Sequence, residues 1–227
     1  MHASTRSQGQ KRSETPIRSP RSNIIAGCAL LVWLASIIVA LQALSGYERT
    51  PGLTGKTLRL WPNTLAFVQV KSDFTLVMFV HPECPCTRAS LEELNIVMNS
   101  SKALHAVAYV AFVTPTGASA QWTQTSLWYR ASQIPGVTRF VDYDGKEART
   151  FGAKTSGDLF LYDPKGHLEF AGGITSARGE EGNNTGRQAV LGFLAGESVR
   201  WQDHAVFGCA LFDASPVSGF PNQGRNP

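Results

Sequence analysis

The residues most able to do chemistry form one short run, His81-Pro82-Glu83-Cys84-Pro85-Cys86-Thr87-Arg88. A continuous apolar stretch precedes it and an amphipathic one follows. Proline favours the first helical position, so Pro85 is expected at N1 and Cys84 at the N-cap. A thiolate there accepts N–H groups that the helix leaves unpaired and meets the positive end of the macrodipole. Both effects favour ionised sulfur, the nucleophilic and metal-binding form. The spacing is C-x-C, and residues i and i+2 do not face each other on a helix. A Cys84–Cys86 disulfide would be strained, hence easily reduced and strongly oxidising. The pair either shuttles disulfides at high potential or uses its sulfurs otherwise; two buried, inert thiols are the plainest alternative. Cys209 is a resolving thiol for Cys84 or Cys86, a third metal ligand, or an ordinary buried cysteine. Cys28, inside an apolar span, reads as a packing residue.

Neighbouring residues carry weaker signals. His81 either assists proton transfer and lowers the thiol pKa as imidazolium, or simply ends the strand in solvent. Arg88 either stabilises a thiolate or is a solvated surface arginine. The run Ser176–Gly186 is a loop near the cysteines that binds a partner, or a surface loop. Its glycines do not make a phosphate-binding fingerprint, because no buried strand leads into them. His105, His167 and His204 lack ligand-like spacing. No Ser-His-Asp or H-E-x-x-H signature is present, which argues against hydrolases.

The elements that must position these residues alternate strand and helix from about Leu58. Thr75–Val80 reads as a strand buried on both faces. The following helix places Ala89, Leu91, Leu94, Val97 and Met98 on one face, with Glu92 and Glu93 pointing away. Ala106–Val113 is a second buried strand, Ser119–Ser132 a helix, Thr138–Asp142 a short strand and Gly145–Phe151 one or two helical turns. Asp158–Tyr162 and Leu168–Ala171 form a hairpin around Asp163-Pro164-Lys165-Gly166. Gln188–Leu194 is the last helix, and the tail after Val206 reads as irregular. The order predicts an α/β domain with a mixed sheet.

Charge locates the remainder. The 227 residues hold 21 Lys+Arg and 17 Asp+Glu, a formal net of +4. Arg6, Lys11, Arg12, Arg18 and Arg21 stand against Glu14 in residues 1–22, so the whole excess lies there. That segment is too polar to offset its ordering entropy and is expected to be a disordered cytoplasmic tail. No charge occurs from Asn23 to Tyr47. At ~1.5 Å per residue, Ile24–Leu44 spans roughly 30 Å, the thickness of a bilayer core. Positive charge before the span puts the N-terminus in the cytoplasm. A cleavable signal peptide, cut near Ala43-Leu44-Ser45, is the alternative. The expected organisation is a tail (1–22), a transmembrane anchor or uncleaved signal (23–46), a linker (47–56), a domain (57–197) and a C-terminal extension containing Cys209 (198–227). The part beyond the anchor is neutral, which removes the case for nucleic acid. A 43% hydrophobic share excludes a wholly disordered chain, and four cysteines are too few for a disulfide-framework mini-protein.

Over residues 56–197 the chain resembles the thioredoxin-like fold in its membrane-anchored, TlpA/ResA-like branch. The strand Leu76–Val80, the Cys-Pro-Cys junction, the block Phe151–Asp163 and the hairpin end Gly166 to Gly172-Gly173 carry the likeness. The combination HPxCPCT, TSG, GGIT and Arg178-Gly179 looks most like RedB-type proteins. The resemblance implies a thioredoxin-like mixed sheet flanked by helices, with Cys84 at the exposed nucleophile position. Two departures stand out. The usual resolving-cysteine position falls on Thr87, with Cys86 one residue early. The cis-proline loop falls on Ser156-Gly157, with Gly157 in place of a proline that helps to shape the substrate groove and exclude metal.

The functional expectation is a membrane-anchored extracytoplasmic thiol–disulfide oxidoreductase without a cofactor. Cys84 and Cys86 are catalytic, Cys209 is a candidate resolving thiol, and His81, Pro85, Thr87, Arg88, Ser156 and Gly157 support them. Its partners are protein thiols or disulfides outside the cytoplasm, at the inner (cytoplasmic) membrane, in a single-pass chain whose domain faces the periplasm or cell exterior. The alternatives are a soft-metal module binding copper through Cys84, Cys86, Cys209 and His81, and a non-catalytic interaction domain.

Overall fold

The central strand forms from Phe74–Val80 (β1), whose alternating side chains feed two separate cores. Leu76, Met78 and Val80 face one side, Val77 and Phe79 the other, and all five are fully buried. The computed structural model describes residues 20–62, 67–197 and 204–212. The expected disordered tail lies outside the described residues apart from its last three positions, as does most of the expected C-terminal extension.

The chain divides into two compact units, Met1–Ser45 and Gly46–Pro227. The first holds most of the helix Pro20–Glu48 (α1). Its stretch Ile24–Glu48 contains an 18-residue window of mean hydropathy 2.7 and is long and apolar enough to cross a membrane, a property that signal sequences share.

In the second unit, β1 leads to the helix Thr87–Met98 (α2) and a 3₁₀ turn at Ser101–Ala103. Then come Ala106–Thr114 (β2), Ala120–Thr123 (α3), Ser126–Ala131 (α4), Val137–Tyr143 (β3) and Lys146–Phe151 (α5). Asp158–Tyr162 (β4), Leu168–Gly172 (β5) and Thr185–Leu194 (α6) complete it. The five strands lie in the order β3-β2-β1-β4-β5. β1, β2 and β3 are parallel, while β4 pairs antiparallel with β1 and β5 antiparallel with β4. This mixed sheet with helices on both faces is the thioredoxin-like arrangement that the sequence implied. α2 and α6 pack with Leu76, Met78 and Val80; Phe151 of α5 packs with Val77 and Phe79.

Three expectations are corrected. α2 begins at Thr87, so Cys86 rather than Cys84 is its N-cap and Pro85 lies outside the helix. The expected helix 119–132 is two short ones, because Gln124 leaves helical geometry (ψ 55°) and Thr125 is extended. That break is used: the Thr123 hydroxyl meets Thr114 (3.1 Å), and the Thr125 hydroxyl donates to the Pro82 carbonyl (2.8 Å), steadying the cysteine turn. Glu93, expected to point away, is fully buried and paired with Arg187 of α6. The segment 204–212, expected to be irregular beyond Val206, contains no helix or strand. It bridges Gly172 through His204 and Thr155 through Ala210, and so returns the chain to the end of β1.

Candidate active site

The site starts where β1 ends. The Cys84 N–H donates to the His81 carbonyl (3.1 Å), and the Thr87 N–H donates to the Cys84 carbonyl (3.2 Å). These two turns lift Cys84 off the strand and deliver Cys86 in helical geometry (φ −68°, ψ −28°). A proline-favoured N1 does not hold here because the turn that contains Pro85 closes before α2 begins. The capping physics survives the shift: the Cys84 sulfur accepts hydrogen bonds from the Thr87 backbone and hydroxyl.

Behind Cys84 lies a run of polar groups, buried apart from the half-exposed His81. The His81 N–H donates to Ser156 Oγ (2.8 Å), and the Ser156 and Thr87 hydroxyls share a 2.6 Å bond. With both hydroxyls fully buried, the arrangement that satisfies every group runs from His81 N–H through Ser156 and Thr87 to sulfur. Ser156 is held by its own N–H, which donates to the Cys209 carbonyl (2.8 Å). Gly157 donates to the Phe79 carbonyl (2.8 Å) at φ +95°, and a Cβ there would meet Ser90 Oγ at 2.7 Å. A proline cannot adopt that φ. The loop that resembles a cis-proline loop is thus a left-handed glycine turn, with no cis peptide among the described residues.

The segment 204–212 closes the site. The Gly52 N–H donates to Val206, and the Leu211 N–H to Lys154 (2.8 and 2.9 Å). Gly208 passes so near the Ser156 carbonyl that a side chain would collide with it. The Cys209 N–H then donates to the Cys84 sulfur (3.3 Å), and the two thiols also meet side chain to side chain. One expectation fails as a result. Cys84 is 1% exposed rather than open, while Cys86 and Cys209 are half-exposed.

The three thiols differ electrostatically. Burial pushes the Cys84 thiol up, but hydrogen bonds from Thr87 and Cys209 outweigh it and hold the pKa below the ordinary value. Burial and then the neighbouring Cys84 raise Cys86, against an opposing pull from Arg178. Cys209 is pushed up to about 12, by burial first and then by its bond to Cys84. Of the three sulfurs, Cys84 is the one whose ionised form is favoured, with Cys209 as its thiol donor.

The structure brings Cys84, Cys86, Cys209, Thr87 and Ser156 together. It does not bring Arg88, whose guanidinium pairs with Glu181 (3.1 Å) at the surface. Nor does the His81 ring reach the sulfurs; it packs edge-on against Trp122 (5.5 Å), and its Nδ1 accepts the Glu83 N–H (3.2 Å). The basic residue at the site is Arg178. It donates to the Gly208 carbonyl and acts on both Cys86 and Cys209, and its Nε is buried without a hydrogen-bond partner. The Ser176–Gly186 run marked this loop as a candidate neighbour of the cysteines and Arg178-Gly179 entered the resemblance, yet no role at the sulfurs was expected of Arg178. The loop is bolted to α2: Glu93 accepts from the Gly182 N–H (2.6 Å) and pairs with Arg187. Arg88, through Glu181, fastens the same loop. Among the described residues no three His, Cys, Asp or Glu side chains converge as a metal-ligand set.

No protein-family model matches the chain, and no curated protein matches it. Similar solved structures include a hypothetical protein from Sinorhizobium meliloti 1021, 21% identical with a TM-score of 0.52 over 71% of this chain and 93% of that one. An uncharacterized conserved protein from Geobacillus kaustophilus is 17% identical, with a TM-score of 0.52 over 72% and 89%. A secreted Mycobacterium tuberculosis disulfide oxidoreductase is more distant, 14% identical with a TM-score of 0.38 over 56% and 84%. At these identities the likeness is one of fold.

Proposed function

We propose that the chain is a thiol–disulfide oxidoreductase of the RedB-like kind, held at a membrane by α1 with its domain outside the cytoplasm. One observation carries the chemical reading: the Cys84 sulfur is hydrogen-bonded by Thr87 and by Cys209, so a sulfur whose ionised form is favoured sits against a second thiol. Thiolate character and a neighbouring resolving sulfur are what disulfide exchange needs. The exchanging pair is Cys84 and Cys209. The C-x-C pair would have to bend the turn that opens α2 in order to bond. Copper is the weaker reading, because His81 is turned away and no three potential ligands converge among the described residues.

The test is reduction of a model protein disulfide by the full chain in detergent, together with peptide mapping of its oxidised form. Oxidation should yield a Cys84–Cys209 link. Cys84→Ser and Cys209→Ser should each lower turnover at least 100-fold, and Cys28→Ala should leave it unchanged. Undiminished activity in Cys84→Ser would refute the assignment.

A further inference from the structure

We propose that the thiol which meets the partner is Cys209, with Cys84 as the leaving group behind it. This rests on the reading of Cys84 and Cys209 as the exchanging pair and states which member is attacked. Two independent features select the same sulfur. The first is access: Cys84 is 1% exposed beneath Cys209, Thr87 and Ser156, whereas Cys209 is half-exposed. An incoming sulfur cannot reach Cys84 while the segment 204–212 is seated. The second is departure. Exchange is faster when the lower-pKa sulfur leaves. The Thr87 donors lower the Cys84 pKa and favour its departing thiolate, whereas the Cys209 pKa is raised and has no such support.

The step balances as follows. A thiolate of a dithiol partner attacks Sγ of Cys209 in the oxidised pair. The Cys84–Cys209 bond breaks, a partner–Cys209 disulfide forms, and the electron pair goes to Cys84, which needs no proton. The partner's second thiol then attacks its own sulfur in the mixed disulfide. That closes the partner's disulfide and releases Cys209, which takes the proton the second thiol gives up. Two electrons pass from the dithiol to the pair, and the reverse sequence reduces a disulfide partner. During the first step negative charge spreads over three sulfurs. Arg178 lies beside it, fixed to the Gly208 carbonyl and acting on both Cys209 and Cys86. Cys86 is also half-exposed but outside the pair, so it should not carry the first adduct.

The experiment uses the full-length chain in detergent, with Cys28→Ala to remove the fourth thiol. The oxidised protein is mixed with reduced glutathione, quenched in acid at short times and mapped without reduction. Glutathione should appear first on Cys209, in at least tenfold excess over Cys84 and Cys86. In Cys84→Ser, glutathione disulfide should leave a stable adduct at Cys209. A first adduct on Cys84 or Cys86 overturns the proposal while leaving the Cys84–Cys209 pair intact. An oxidised chain without that link overturns both.

Discussion

At the scale of single residues, Thr87 is the position that most directly sets the reactivity of Cys84. It stands where a resolving cysteine usually would, and gives the sulfur a hydroxyl and an N–H instead. Replacing it by valine keeps the volume and the backbone donor but removes the hydroxyl. It also leaves Ser156 Oγ short of a buried partner. A hydrogen bond to a charged group contributes about 1.5–3 kcal/mol. Thr87→Val should therefore move the midpoint of Cys84 alkylation to higher pH and slow alkylation at neutral pH roughly tenfold, since 1.36 kcal/mol is one pKa unit. The measurement is the pH profile of iodoacetamide labelling at Cys84, read by mass spectrometry. An unchanged profile would assign the lowered pKa to Cys209 and the Thr87 backbone N–H, without the hydroxyl.

At the scale of elements, the segment 204–212 decides what the cysteine turn can do, and its seat depends on glycine. Gly208 lies against the Ser156 carbonyl with no room for a Cβ. Gly208→Ala should unseat the segment locally, making Cys84 at least tenfold more reactive toward a bulky maleimide while the sheet keeps its urea midpoint. Equal labelling of the variant and the parent would show that the segment does not guard Cys84. This is also where reading from the sequence stops. The Cys-Pro-Cys junction was legible because a buried strand, a turn and an amphipathic helix are local patterns. The sheet was legible because each strand carries its own apolar run and turn signals. Cys209 is 125 residues from Cys84 along the chain, in a segment with no periodicity, so its place could only be left open among three alternatives. The burial of Cys84 was missed for the same reason, since its cover comes from that segment. Glu93 failed differently: helical spacing placed it on the outer face, and only the arrival of Arg187 and Gly182 buried it.

At the scale of the whole molecule, pH acts on stability as well as on the thiols. Asp158, at the start of β4, is buried, and burial raises its carboxyl from 3.8 to about 7 against weak N–H bonds from Lys154 and Thr155. A group whose folded pKa lies above its unfolded value binds protons more tightly in the folded state. The folded chain is therefore favoured below the unfolded pKa, and this contribution is lost as pH rises from about 4 to about 7. At 1.36 kcal/mol per unit, the loss is on the order of 4 kcal/mol. Asp158→Asn keeps an acceptor for the two N–H groups and removes the ionisation. Urea unfolding of the reduced protein between pH 5 and 8 should show the parent losing stability with pH and the variant nearly flat over that window. Parallel slopes in the two proteins would mean that Asp158 ionises without cost, through solvent reaching it at the sheet edge. The two titrations act in opposite directions: rising pH ionises Cys84 earlier than an ordinary thiol, while Asp158 withdraws stability up to about pH 7. Activity measured against pH in Asp158→Asn should thus keep the rising limb set by Cys84 and lose any decline at higher pH that tracks unfolding.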